Sequence, residues 1–163
     1  MKKEDAPDPE RGERGEPIIT ENYLCKLCEF EEGYLIPKLN SSLNLHYKGF
    51  SKIQNLDNFI NVKVLYLQQN SIRKIENLSH MKQLSFLNLA DNFITKIENL
   101  ENNKQLSLLT LSGNRIEKVE NLEKNEKLHN LLINKNCLSN IDSLINLKSI
   151  GNLGVVILYF TFY

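Results

Sequence analysis

Cys25-Lys26-Leu27-Cys28 has the spacing of a redox pair or of half a zinc site. Either chemistry needs more than the pair. A structural zinc site needs a second pair of ligands, and a thioredoxin-like dithiol needs a strand-helix-strand setting and a thiol whose pKa is lowered. Neither accompanies these cysteines, and His46, His80 and His129 fall at unrelated places in the sequence pattern, so no tetrahedral ligand set is assigned. With Cys137 the cysteines number three, an odd count that suits free thiols better than a secreted disulfide scaffold. No glycine-rich phosphate loop follows a strand, and no serine, histidine and carboxylate are arranged for nucleophilic attack. The reading is of a non-enzyme with no catalytic residue, no metal and no cofactor.

The segments around the cysteines divide by composition. Residues 1–17 hold three prolines, two glycines and ten charged residues with little that is apolar, which predicts a disordered tail. Residues 18–42 read as a capping helix and linker. Thr20 stands at an N-cap, Tyr23, Leu24, Leu27 and Cys28 recur at helical spacing, and Gly33 is placed to close the C-terminus.

From Leu43 the chain repeats itself every 22 residues. Val62, Leu84, Leu106 and Leu128 open successive units; Leu65 and Leu67, Leu87 and Leu89, Leu109 and Leu111, Leu131 and Ile133 follow at fixed offsets. Asparagine recurs in step at Asn70, Asn92, Asn114 and Asn136. Behind it comes an apolar set that begins Ile72, Ile75, Leu78 and ends Leu138, Ile141, Leu144. A looser first unit carries Leu43, Leu45, Phe50, Ile53 and Leu56, with Lys48 at the asparagine position.

Each part has a mechanical reading. Two leucines separated by one residue face the same side of a short strand. The asparagine ends that strand, its amide satisfying backbone groups that a sharp turn leaves open. Apolar residues at steps of three then match tight 3₁₀-like turns. One unit cannot bury its own leucines, but units stacked about 4.8 Å apart can. The predicted fold over residues 43–148 is therefore an α/β solenoid of five units: a curved parallel sheet on the concave face, short turns on the convex face, and an N-terminal capping helix. Residues 149–163 read as an apolar, incomplete repeat. Leu153–Tyr163 has no charge, and neither Leu158 nor Thr161, at steps of 22 and 25 from Asn136, restores the asparagine. That stretch is expected to mark a fragment of a longer chain.

VKVLYLQQNSIRKIENLSHM and LSFLNLADNFITKIENLENN resemble the 22-residue subclass of leucine-rich repeats, typified by a regulatory subunit of protein phosphatase 1. ITENYLCKLCEF, followed by LNLHYKGFSKIQNL at Leu43 to Leu56, is more specific and resembles the leucine-rich-repeat dynein axonemal assembly factors, from about Ile19 to about Lys148. That resemblance implies a scaffold for cytoplasmic pre-assembly of dynein arms, cytoplasmic and ciliary or flagellar in location. The partners it implies are axonemal dynein chains or assembly co-chaperones. A phosphatase-targeting subunit is the alternative implied by the repeats alone, and a redox enzyme using Cys25 and Cys28 is a third.

Charge agrees with a protein partner. Twenty basic residues balance twenty acidic ones, which leaves no global field to hold nucleic acid or an anionic membrane. No stretch approaches the roughly 20 apolar residues of a spanning helix, and the opening MKKEDAPDPE lacks a signal-like apolar run. The outward strand positions form two columns: Ser42, Val64, Phe86, Leu108, Asn130, and Asn44, Tyr66, Asn88, Thr110, Leu132. Within them the expected contact residues are Val64, Tyr66, Phe86, Asn88, Leu108, Thr110, Asn130 and Leu132. Lys74, Lys96 and Lys118 line up on the return leg beside Glu76, Glu98, Glu120 and Asp142, as a compensated solvated surface.

Overall fold

The computed structural model describes residues 6–139 and 153–157. Residues 6–17, expected as a disordered tail, instead enter a small hairpin: β1 (Glu10–Arg11) pairs antiparallel with β2 (Pro17–Ile18). The loop closes through the Gly12 N–H to the Glu16 carbonyl (2.8 Å), with Gly15 at φ 79°. Composition missed the hairpin because its anchors lie outside it. Pro9 and Ile19 are buried, Asn22 donates to the Glu10 carboxylate, and the Lys48 ammonium reaches the Pro7 carbonyl at 3.1 Å. Residues 1–5 of that expected tail lie outside the described residues.

Helix α1 (Glu21–Phe30) starts where Thr20 Oγ1 accepts the Tyr23 N–H at 3.0 Å. Its end differs from the reading that placed Gly33 in the closing role. Glu32 takes the left-handed conformation at φ 57°, while the Glu32 N–H donates to Glu29 and the Gly33 N–H to Cys28. This pair of bonds is a Schellman closure with glutamate at the left-handed position. Gly33 serves close approach: a Cβ there would lie 2.8 Å from Asn40 Oδ1. The buried face, Tyr23, Leu24, Leu27 and Cys28, covers the open end of the repeat core, with Tyr23 edge-on to Phe50 at 5.7 Å. A short 3₁₀ turn, Pro37–Leu39, leads on to the sheet.

Strands β3 (Ser42–Asn44), β4 (Val64–Tyr66), β5 (Phe86–Asn88), β6 (Leu108–Thr110), β7 (Asn130–Leu132) and β8 (Val155–Ile157) form one parallel sheet in chain order. Leu43, Leu65, Leu87, Leu109 and Leu131 stand side by side in register. The next partner is Val156, 25 positions on from Leu131 where the other steps are 22. The five strand units expected over residues 43–148 supply β3 to β7, and the apolar stretch read as an incomplete repeat joins the sheet as a sixth strand after a three-residue insertion. Ile141, Asp142, Leu144, Lys148 and Leu158–Tyr163, on which earlier expectations also fell, lie outside the described residues.

Inward positions on strands and return legs close into a continuous core, with Leu67, Leu89, Ile72, Ile94, Ile75 and Ile97 all at 0% exposure. The return legs are single turns closed by i to i+3 bonds. Met81 N–H donates to Leu78 and Leu84 N–H to Met81, and the same pair recurs at Asn103 and Leu106. Steps of three in the apolar pattern express these turns. No helix among the described residues is long and apolar enough to cross a membrane.

Candidate protein-binding face

The concave face is positioned by the asparagines behind it. Three residues beyond the end of each of β3 to β7 stands a residue at positive φ: Tyr47, Gln69, Asp91, Gly113 and Lys135, at 53° to 69°. Only one of the five is glycine, so the other four carry a conformation that L-residues adopt at a cost. The ladder asparagines hold those bends. Asn92 Oδ1 accepts the Ile72 N–H at 3.0 Å, while its Nδ2 donates to the Leu67 and Leu89 carbonyls at 3.0 and 3.2 Å. Asn114 and Asn136 repeat the arrangement with Ile94 and Ile116 as donors, both at 2.9 Å. Asn70 Oδ1 accepts the backbone N–H groups of both Lys48 and Phe50, at 3.2 and 3.0 Å.

Two further asparagine columns escaped the sequence reading. Asn55, Asn77, Asn99 and Asn121 all stand at φ 57° to 60°. Asn77, Asn99 and Asn121 send Nδ2 to a carbonyl one unit back, those of Ile53, Ile75 and Ile97, while Asn55 reaches the Ile19 carbonyl ahead of the helix. Their signal was the asparagine recurring in IQNL, IENL, IENL and VENL, a residue type that tolerates the left-handed region. Asn103 and Asn125 are wholly buried where preceding units have Phe59 and Met81, and nothing apolar in their surroundings predicted an amide there.

On this frame the strand flanks face outward. Val64, Tyr66, Phe86, Asn88, Leu108, Thr110, Asn130 and Leu132 are all half-buried, each screened by its neighbours along the column. The rings of Tyr66 and Phe86 meet at 5.1 Å, tilted 53°, across β4 and β5. The strand alternation runs one step further than the sequence reading took it. His46, Gln68, Ala90, Ser112 and Asn134 make a third, half-buried column beside the other two. No aspartate, glutamate, lysine or arginine occurs in the three columns, in a chain that is 25% charged. Charge begins at the borders, with Lys63 on one side and Asp91 and Lys135 on the other. At the N-terminal end Glu31 approaches Asn44, His46 and Lys48. Burial pushes its carboxyl up, against the pull of the Asn44 amide and of the His46 and Lys48 charges.

The return-leg surface is built differently. Lys118 and Glu120 meet at 4.0 Å, and the guanidinium groups of Arg73 and Arg115 lie 5.6 and 4.7 Å from the Phe93 ring centre.

The cysteine pair is split by the helix. Cys25 is exposed and Cys28 buried; together they line a cleft with Glu21, Leu24, Leu35, Pro37 and Phe59. Burial pushes the Cys28 thiol up, away from the thiolate that redox chemistry needs. His46 lies on the concave face, His80 bonds the Leu56 carbonyl at 2.8 Å, and His129 is exposed. Among the described residues no three His, Cys, Asp or Glu side chains converge on a metal-sized site.

Comparison with known proteins agrees with the architecture. The family of leucine-rich repeats (2 copies) matches residues 60–102. Dynein axonemal assembly factor 1 of Peromyscus polionotus is 41% identical over 58 residues, 36% of this chain and 9% of that protein. The human protein of the same name is 41% identical over 51 residues, 31% of this chain and 7% of its own length. The Drosophila pseudoobscura homologue is 41% identical over 54 residues, 33% of this chain and 3% of its own. The matched stretch is thus less than a tenth of these relatives. Among solved structures, internalin C2 of Listeria monocytogenes superposes with a TM-score of 0.69 at 23% identity, over 89% of this chain and 58% of that one. Internalin F from the same organism gives 0.64 at 21% identity, over 86% and 44%. Those two likenesses concern the fold alone. The chain is a leucine-rich-repeat solenoid, and over about a third of its length its sequence resembles dynein axonemal assembly factor 1.

Proposed function

We propose that this chain is a non-catalytic scaffold that captures a protein on its concave face, and that it acts in the cytoplasmic pre-assembly of axonemal dynein arms for cilia or flagella. The observation that carries the reading is the uncharged face bearing Val64, Tyr66, Phe86, Leu108 and Leu132, half-open to water on a frame held by asparagine hydrogen bonds. Aromatic and aliphatic side chains held rigidly in this way make binding anchors, because little entropy is lost when they are covered. The choice of partner, dynein chains or their assembly co-chaperones, is supported by the 41% identity to dynein axonemal assembly factor 1.

The test is affinity purification of the tagged chain from ciliated cells. Axonemal dynein heavy chains or co-chaperones are expected to copurify, and the Tyr66→Glu and Phe86→Glu variants should lose them without change in the far-ultraviolet spectrum. Copurification of a phosphatase catalytic subunit in their place would overturn the dynein assignment. Full capture by both variants would overturn the concave face.

A further inference from the structure

The geometry points to a specific occupant for this face: an amphipathic α-helix of the partner, about four turns long, lying across the strands with an uncharged contact surface. This rests on the reading that the concave face is the partner surface, and adds to it the shape and chemistry of what binds.

The first ground is pitch. Apolar side chains step along the sheet one strand at a time: Val64 and Tyr66 on β4, Phe86 on β5, Leu108 on β6, Leu132 on β7. Neighbouring strands lie about 4.8 Å apart. A helix running across them offers same-face residues at i, i+3/i+4 and i+7, an average advance of about 5.3 Å at 1.5 Å per residue. The mismatch is about 0.5 Å per strand, which a tilt of roughly 20–25° removes. An extended peptide in the same direction advances about 6.6 Å between same-face residues and slips by nearly 2 Å per strand. After three strands it is out of step.

The second ground is charge. The sides of the apolar track are Asn44, Gln68, Asn88, Thr110, Ser112, Asn130 and Asn134, groups that hydrogen-bond without carrying charge. A partner presenting Lys, Arg, Asp or Glu over β4 to β7, away from the Glu31 end, would lose hydration with no opposite charge in the three columns to meet it. The complementary surface is a stripe of Leu, Ile, Met or aromatic residues flanked by Ser, Thr, Asn or Gln, with the partner's charges on the face turned to water.

The experiment is selection of a random 16-residue peptide display library on the immobilised full chain. The enriched peptides are then measured as synthetic peptides against the chain and its Phe86→Glu, Asn88→Asp and Lys96→Glu variants. Enriched sequences should carry apolar residues at i, i+3/i+4 and i+7, become helical on binding, and change affinity less than about twofold between 0.05 and 0.5 M NaCl. Phe86→Glu should weaken them about 30-fold or more. Asn88→Asp, nearly isosteric and so safe for folding, should weaken them several-fold. Lys96→Glu, on the return leg, should leave them unchanged. Peptides with period-two apolar spacing, or with a charged contact face and a tenfold loss in salt, would overturn the helix inference alone if Phe86→Glu still weakens them. Peptides indifferent to Phe86→Glu but lost with Lys96→Glu would overturn the concave-face reading as well.

Discussion

The strand-side ladder of Asn70, Asn92, Asn114 and Asn136 and the return-leg pair Asn103 and Asn125 place the same side chain in the same core, with opposite accounting. In the ladder both amide atoms are paired, the oxygen with a backbone N–H and the nitrogen with carbonyls of two successive units. In the return-leg pair only the nitrogen is. Asn103 Nδ2 reaches the Leu78 and Met81 carbonyls at 2.9 and 3.0 Å, and Asn125 Nδ2 those of Leu100 and Asn103, but both Oδ1 atoms are buried without a hydrogen-bond partner among the described residues. Those carbonyls already accept turn bonds from Met81, Leu84, Asn103 and Leu106 N–H groups. A buried amide therefore stabilises a repeat only where it answers a group that nothing else satisfies.

Mutations can break or sharpen the contrast. Leu89→Ala sets the scale, since it opens a cavity in the core shared by two units, and chemical denaturation should register a loss of roughly 2–5 kcal/mol. Asn92→Ala is expected to approach that value at about 2–4 kcal/mol, because the Ile72 N–H is left buried with no acceptor. An effect below about 0.5 kcal/mol would show that the ladder is incidental. Asn99→Ala should cost about 1–2 kcal/mol by forcing a Cβ-bearing residue without a side-chain hydrogen bond to hold φ 60°. Asn99→Gly should recover part of that in the same denaturation series. Asn103→Met copies the residue one unit earlier and removes the orphaned oxygen, so its melting curve should lie within about 1 kcal/mol of the parent. A loss as large as that of Asn92→Ala would mean that Asn103 is as necessary as the ladder.

Much of this molecule was decided by spacing. A 22-residue period with paired leucines and one asparagine per unit determines the inward columns, since a period-two strand and a three-step turn leave each leucine one direction in which to be buried. The outward columns follow from the same alternation, and so did Val64, Tyr66, Phe86 and their neighbours as contact candidates. What spacing did not carry is anything that depends on a neighbour from elsewhere in the chain. The charged opening residues form a hairpin because Lys48 and Asn22 hold Pro7 and Glu10. Glu32 bends left-handed because the Cys28 and Glu29 carbonyls capture the residues after the helix. The last strand pairs three residues late because Val156 meets Leu131 at the end of the stack, where a parallel edge was open to it. Local sequence set the direction of each side chain; only the assembled stack decided which backbone groups were left unpaired and what came to pair with them.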